Sequence, residues 1–356
     1  MRARHPAALA AGGLDVDRPY AGYHSQAGLD PSPLLHKTHE LISKAPACLT
    51  SGKRKLYMSF YPINKCRIYT FRTISIMRPI LSLDRFEVFA EGLDHPEGLA
   101  FDGDGNLWVG GELGQVYRIN SKRRVKIVTT LGGFNLGLTF SPRQELFVCN
   151  FKLGALIQLD RSGKVLRSWG RVGWYRLRTP NFSVFDREGN LYFSDSGEWQ
   201  ANDGLLFMLR PNGKIEQLLT GLAFPNGLSL SSDEKTLFVV QSTKDDVLAV
   251  PLGSPGKIRK PRVYASGLHS VPDGAALDAA GNLYVTCYAS HNIYRVAPNG
   301  KVGLLAVDPQ GTMIASPTNI AFGGSNFDEM YCANLSRWHI CRAKAGVKGQ
   351  LLANQR

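Results

Sequence analysis

The sequence predicts an all-β protein: a six-bladed β-propeller with four-stranded antiparallel blades, preceded by an irregular N-terminal extension. Three observations carry this prediction. One segment type recurs six times, opened by Glu97, Asn135, Asn181, Asn226, Asp273 and Asn319, at spacings of 38, 46, 45, 47 and 46 residues. Within each repeat, short apolar runs alternate with Gly-, Asn- and Asp-rich turns, which is the pattern of strands. No amphipathic helical period of useful length interrupts them.

Each repeat supplies its strands in order. A first apolar strand follows the opening polar residue, as in Pro272-Asp-Gly-Ala-Ala-Leu. A turn such as Asp104-Gly105-Asn106 or Glu188-Gly189-Asn190 leads into a second strand, such as Leu107-Trp108-Val109 or Leu283-Tyr284-Val285. Val116 to Ile119 and Ile293 to Val296 read as third strands. Turns such as Pro211-Asn212-Gly213 precede fourth strands, as in Ile215 to Leu219. The last repeat supplies only three strands: Asn319 to Phe322, Glu329 to Cys332 and His339 to Arg342. Phe86 to Ala90 resembles a fourth strand and can complete that blade, with Gln350 to Ala353 as its rival. Closure matters because an open ring exposes two strand edges.

The propeller is assigned to residues 77–356 and the extension to residues 1–76. The extension holds eleven Lys/Arg and four acids, so it carries +7 of the formal +13. It has neither helical nor strand periodicity, and two readings compete: a disordered or targeting extension, or an over-long gene model with Met77 as the expected natural start. The rest carries +6 and has no basic groove with interleaved aromatics, so nucleic acid is not an expected partner. No stretch of 18 apolar residues suggests a membrane span. Nothing specifies an oligomer. Cys149, Cys287 and Cys332 recur near the end of the second strand of three repeats, a placement of small packing residues rather than bridges or metal ligands. That usage suits a reducing, cytoplasmic location.

In a propeller the first strand of each blade lines the central channel, and all six run the same way. Equivalent positions therefore form a ring at one mouth: Glu97, Asn135, Asn181, Asn226, Asp273 and Asn319. All six offer a side-chain oxygen, and two carry carboxylates. Such hard donors suit Ca²⁺; a ring without His or Cys disfavours Zn²⁺. A purely structural account competes, because Asn226-Gly227 and Asp273-Gly274 are also ordinary turn pairs. Glu97 resists that account, since glutamate is a poor turn residue. Two carboxylates in a narrow mouth call for a cation.

These residues resemble the SMP-30/gluconolactonase/luciferin-regenerating-enzyme-like family, whose relatives include diisopropylfluorophosphatase-type phosphotriesterases. The resemblance runs from about Leu83 to the C-terminus. It rests on Arg178-Thr-Pro-Asn181 with Tyr192-Phe-Ser-Asp195, on Pro317-Thr-Asn-Ile-Ala-Phe-Gly-Gly324, and on the set of blade-opening residues. It implies Glu97, Asn181, Asn226 and Asp273 as metal ligands. Two departures bear on substrate. Phe182 follows Asn181 where many members have Asp. Arg178 stands three residues before Asn181, whereas the family's substrate arginine often stands two before. Both argue against strict sugar-lactone specificity.

The expected activity is metal-dependent hydrolysis of a lactone or related ester, a small-molecule substrate, with Ca²⁺ or another oxygen-ligated divalent cation as cofactor. Asp273 is the candidate catalytic base, and a metal-bound hydroxide is its equal rival. Arg178, Glu198 and Trp199 are the candidate substrate-binding residues. Trp174 and Tyr175 suit either a pocket wall or packing between blades. His95 and His269 precede ring residues, as proton shuttles or as structural groups. A non-catalytic binding propeller and a metal-free strictosidine-synthase-like propeller are the alternatives, the latter disfavoured by the four-ligand set.

Overall fold

A computed structural model describes residues 77–253 and 256–355. The expectations for residues 1–76 lie outside the described residues. The described chain is a six-bladed propeller of four-stranded antiparallel sheets. Each of blades 1 to 5 is a sequential meander, as in blade 3: Pro180–Phe185, Leu191–Asp195, Gly204–Leu209 and Ile215–Leu222. A two-stranded hairpin, Arg171–Val172 with Tyr175–Arg176, is inserted between blades 2 and 3. The helical content is confined to short 3₁₀ turns. Among the described residues, no helix is long and apolar enough to cross a membrane.

Closure follows the first of the two routes open to the sequence. Phe86–Ala90 pairs antiparallel with His339–Lys344 and completes blade 6. Gln350 to Ala353 runs elsewhere, across the far mouth of the channel. There Gln350 N–H donates to Leu277 O at 3.0 Å. Gln350 Nε2 reaches Leu230 O at 2.8 Å, and Asn354 Nδ2 reaches Phe101 O at 2.9 Å. The tail thus ties blades 1, 4 and 5 together at that end.

The core lies between blades. Six buried apolar clusters are found among the described residues, each shared by two neighbouring sheets; Phe182 and Tyr192 of blade 3, for example, pack with Leu228 and Val239 of blade 4. The short first-to-second-strand turn is held by one carboxylate in three blades. Asp278 accepts from Asn282 N–H at 2.8 Å, Asn282 Nδ2 at 2.7 Å and Tyr284 Oη at 3.0 Å. Asp102 does the same with Asn106 and the Trp108 indole, and Asp186 with Asn190 and Tyr192. Each motif satisfies a buried acid and pins a large aromatic ring into the core. Cys149, Cys287 and Cys332 are free and buried within the interblade clusters, as packing residues.

Candidate functional site

In blades 2 to 6 the first strands are bulged beside the ring positions. Pairing with the second strand slips between Asn135 and Leu138, Pro180 and Ser183, Pro225 and Leu228, Pro272 and Ala275, and Pro317 and Asn319. An extra residue bends the strand and re-aims its side chain. Close approach of the inner strands accompanies the bulge. A Cβ on Gly227 would lie 2.5 Å from the Asp273 carbonyl oxygen, and one on Gly274 would lie 2.6 Å from that of Thr318. Only glycine fits where one blade's backbone presses on the next.

Two acids share this mouth. Burial pushes the Glu97 carboxyl up from 4.5 to about 7, against a hydrogen bond from Thr318. Burial also drives Asp273 well above the carboxylate range, the nearby Glu97 charge adds to it, and the Asn226 amide opposes it. Glu97 Oε2 and Asn226 Oδ1 are buried with no hydrogen-bond partner. Tyr288 faces the same pair: its phenol is raised by burial first, then by the charges of Glu97 and Asp273.

The asparagines of the ring differ in wiring. Asn181 Nδ2 donates to Ser196 Oγ at 2.9 Å, and Asn226 Nδ2 to Ser242 Oγ at 3.4 Å. Asn135, the ring residue expected in blade 2, stands one residue early: it pairs with Asn150 as Pro180 pairs with Asp195, so Leu136 holds the ring position there. Asn135 is consumed internally: its Nδ2 donates to Gln115 O at 3.0 Å, and its Oδ1 accepts from Asn150 Nδ2 at 2.7 Å. In blade 6 the residue set against Glu97 is Thr318, whose hydroxyl donates to Glu97 O at 3.2 Å. Asn319, the ring residue expected there, accepts from Ile320 N–H and lines the channel below. Below the ring the channel turns apolar, with a cavity of about 70 Å³ lined by Phe140, Phe182, Leu228, Leu277 and Phe322 and closed by the C-terminal tail.

The expected substrate residues stand on loops around the mouth. Arg178 is engaged within the protein: Nη1 donates to Asp203 Oδ2 at 2.7 Å and Nε to Tyr175 Oη at 3.2 Å. Asp195 organises this segment, accepting from Arg178 N–H at 2.9 Å and Thr179 N–H at 2.7 Å. Glu198 is exposed, with its N–H on Asp203 Oδ1 at 3.0 Å. Trp199 is 43% exposed and meets Phe224 edge-on, with centroids 4.9 Å apart. Trp174, at the hairpin tip, is 98% exposed and packs on neither blade. His95 Nδ1 lies 2.8 Å from Asp94 Oδ1 and 3.0 Å from Glu112 Oε2, and its ring rests on Trp338. These three side chains form the only His/acid group with metal-ligand spacing among the described residues. Burial opposes ionisation of Asp94, but hydrogen bonds from His95, Gln115 and Leu113 N–H outweigh it and hold its carboxyl low. His269 Nδ1 pairs with Asp245 Oδ2 at 3.2 Å.

Sequence reasoning passed over Tyr288, Asp203 and Thr318. Thr318 was legible: it follows Pro317 as Glu97, Asn181, Asn226 and Asp273 follow their prolines. Asp203 lies in an irregular loop with no repeat counterpart, so nothing marked it.

Comparison with known proteins supplies the lineage. The chain is 30% identical over 200 residues to a gluconolactonase of Zymomonas mobilis, covering 49% of this chain and 54% of that protein. It is 28% identical over 270 residues to lactonase drp35 of Staphylococcus saprophyticus, covering 70% of this chain and 81% of that one. The first match thus spans about half the relative's length. A crystal structure of a calcium-binding protein, regucalcin from Agrobacterium tumefaciens, shares the fold with a TM-score of 0.62 at 16% identity, over 77% of this chain and 97% of that chain. Residues 114–335 match the SMP-30/gluconolactonase/LRE-like region, and the chain belongs to that family.

Proposed function

We propose that the protein is a calcium-dependent hydrolase of lactones or related esters, with Glu97, Asn181, Asn226 and Asp273 holding the cation at the ringed mouth. The names of its relatives, gluconolactonase and lactonase, support the reaction class. One structural observation carries the site. Two carboxyl groups are buried beside each other, and Glu97 Oε2 and Asn226 Oδ1 lack any protein partner. Buried carboxylates without a counter-charge are costly, and a divalent cation supplies that charge. The donors are all oxygen, which fits Ca²⁺ and not a thiophilic or imidazole-seeking metal.

When bound, the ion supplies Lewis acidity toward a lactone or ester carbonyl. Asp273 acts as the base: a carboxylate oxygen takes a proton from the attacking water and returns it to the departing ring or ester oxygen. Glu97 and the two amides orient the charge of the site. Tyr288, half-buried, lies near enough to both acids for their charges to raise its phenol. Arg178, tied to Asp203 and Tyr175, shapes the rim through its loop. Glu198 and Trp199 stand at the entrance to meet the substrate.

Metal analysis of the purified protein, joined to a panel of lactones, aryl esters and phosphotriesters, tests the reading. The expected result is about one Ca²⁺ per chain and lactone hydrolysis that EDTA abolishes and Ca²⁺ restores. Calcium binding with no turnover across the panel would leave a metal-stabilised scaffold, and absence of both would remove the site.

A further inference from the structure

We infer that Ser196 and Ser242 are positioning residues that set which end of the Asn181 and Asn226 amides faces the channel. The inference rests on the metal reading above, and concerns what makes an asparagine in this ring a ligand.

The argument is one of proton placement. Ser196 Oγ lies 2.7 Å from Pro225 O, and Ser242 Oγ lies 2.7 Å from Pro272 O. A backbone carbonyl has no proton to give, so the hydroxyl proton of each serine must lie on that line. Each Oγ is then left with acceptor capacity only. The asparagine atom against Ser196, at 2.9 Å, must therefore be the NH₂ group, and the same holds for Asn226 against Ser242 at 3.4 Å. An amide is a two-ended group. In Asn181 the nitrogen is committed to Ser196; in Asn226 it is shared between Ser242 and the Asp273 carboxyl, and Asn226 Oδ1 is left as a buried oxygen with no partner. Turned the other way, the same side chain would present two N–H donors to a cation and repel it.

The placement of these serines in the repeat is selective. Both stand five residues after the apolar residue that begins the second strand, Leu191 in blade 3 and Leu237 in blade 4. The equivalent positions elsewhere are Glu112, Phe151, Tyr288 and Leu335. Serine thus occurs in the two blades whose ring residue is a candidate amide ligand. Blade 2 has Leu136 at the ring position, its Asn135 standing one residue earlier at the place of Pro180, and Phe151 rather than serine behind it. Both serines are buried, so water does not compete for their bonds. The chain Pro225 O, Ser196 Oγ and Asn181 Nδ2 also couples the ligand of blade 3 to the backbone beside the ligand of blade 4.

The test measures Ca²⁺ affinity calorimetrically on the EDTA-stripped, full-length protein, alongside its metal-free melting temperature. Ser196→Ala and Ser242→Ala are expected each to weaken Ca²⁺ by about 10–100-fold, the usual effect of losing an outer partner of a ligand. Ser196→Thr, which keeps the hydroxyl, is expected to restore affinity. Ser194→Ala is the structural control. It lies on the same strand and is equally buried, but it bonds only backbone, accepting from Phe182 N–H and donating to Asn226 O. It should lower the metal-free melting temperature while leaving Ca²⁺ affinity within about twofold. Wild-type affinity in Ser196→Ala and Ser242→Ala overturns the inference and leaves the proposed function standing. Equal weakening in Ser194→Ala and Ser196→Ala also overturns it, reducing both to general loosening. A wild-type protein that binds no Ca²⁺ overturns the inference and the metal reading together.

Discussion

Substituting Glu97 by glutamine should stabilise the metal-free protein at alkaline pH while destroying its response to calcium. The Glu97 carboxyl is raised from 4.5 to about 7 in the folded chain, chiefly by burial. The folded state therefore holds this proton more tightly than the unfolded state. Stability is fully present below about pH 4.5 and is lost as pH rises toward 7. Asp273, raised by burial and by Glu97, acts in the same direction. The gap from 4.5 to about 7 corresponds to roughly 3 kcal/mol withdrawn by pH 8. Glutamine carries no charge and escapes that loss, although a buried amide short of partners takes back about 1–2 kcal/mol. The net gain is roughly 1–2 kcal/mol, or about 2–3 °C in melting temperature for a domain of this size. Differential scanning fluorimetry from pH 5 to 8, with EDTA and with millimolar Ca²⁺, reads both effects. In EDTA the variant and wild-type curves should cross between about pH 5 and 6 and separate by pH 8, the variant then being higher. With Ca²⁺ the order should reverse, because only the wild type gains binding free energy. A variant that melts below wild type in EDTA at pH 8, or one that still gains from Ca²⁺, would refute the reasoning.

Three further outcomes follow from packing and hydrogen bonding. Asp278→Ala strips partners from Ala280 N–H, Asn282 and Tyr284 in one step; urea unfolding should show a loss of about 2–4 kcal/mol, and a loss under about 1 kcal/mol would contradict the role given to this turn. Gly274→Ala sets a methyl 2.6 Å from Thr318 O and 2.8 Å from Asn319 Cα, so it should cost about 1–3 kcal/mol and lower Ca²⁺ affinity by displacing Asp273. Asn354→Ala removes the donor to Phe101 O in the tail, and should lower stability by about 1 kcal/mol and speed amide exchange at Gln350 without altering Ca²⁺ affinity.

The repeat was legible because each blade must bury two faces using the same strands and turns, so the pattern recurs at nearly constant spacing. Strand closure was legible only as a choice between Phe86 to Ala90 and Gln350 to Ala353. Both runs are short and suited to an edge, and what decides between them is long-range pairing with His339–Lys344, which no local pattern records. The acids of the mouth were legible by type, since glutamate at a turn position is anomalous. The second and sixth ring positions were misplaced by one residue, because Asn135 and Asn319 matched the residue type while Leu136 and Thr318 hold the register. The rim was the least legible part. A sequence marks Arg178 as a cation, but the partners that hold it, Asp203 and Tyr175, come from an irregular loop and a hairpin with no repeat counterpart.

The unequal ring shows how one strand design supports different chemistry from blade to blade. The bulge places a side chain in the channel whatever that side chain is, so position alone does not make a ligand. The equivalent positions of Leu136, Asn181 and Thr318 carry an apolar side chain, an amide and a hydroxyl, and the amide of Asn181 has its nitrogen bound by Ser196. What makes that amide a candidate ligand is the residue at the end of the neighbouring strand, a hydroxyl with its proton already committed to Pro225 O. On this view, a ring amide becomes available to a cation when its nitrogen is occupied, and a new ligand takes an asparagine at the ring position together with a serine behind it.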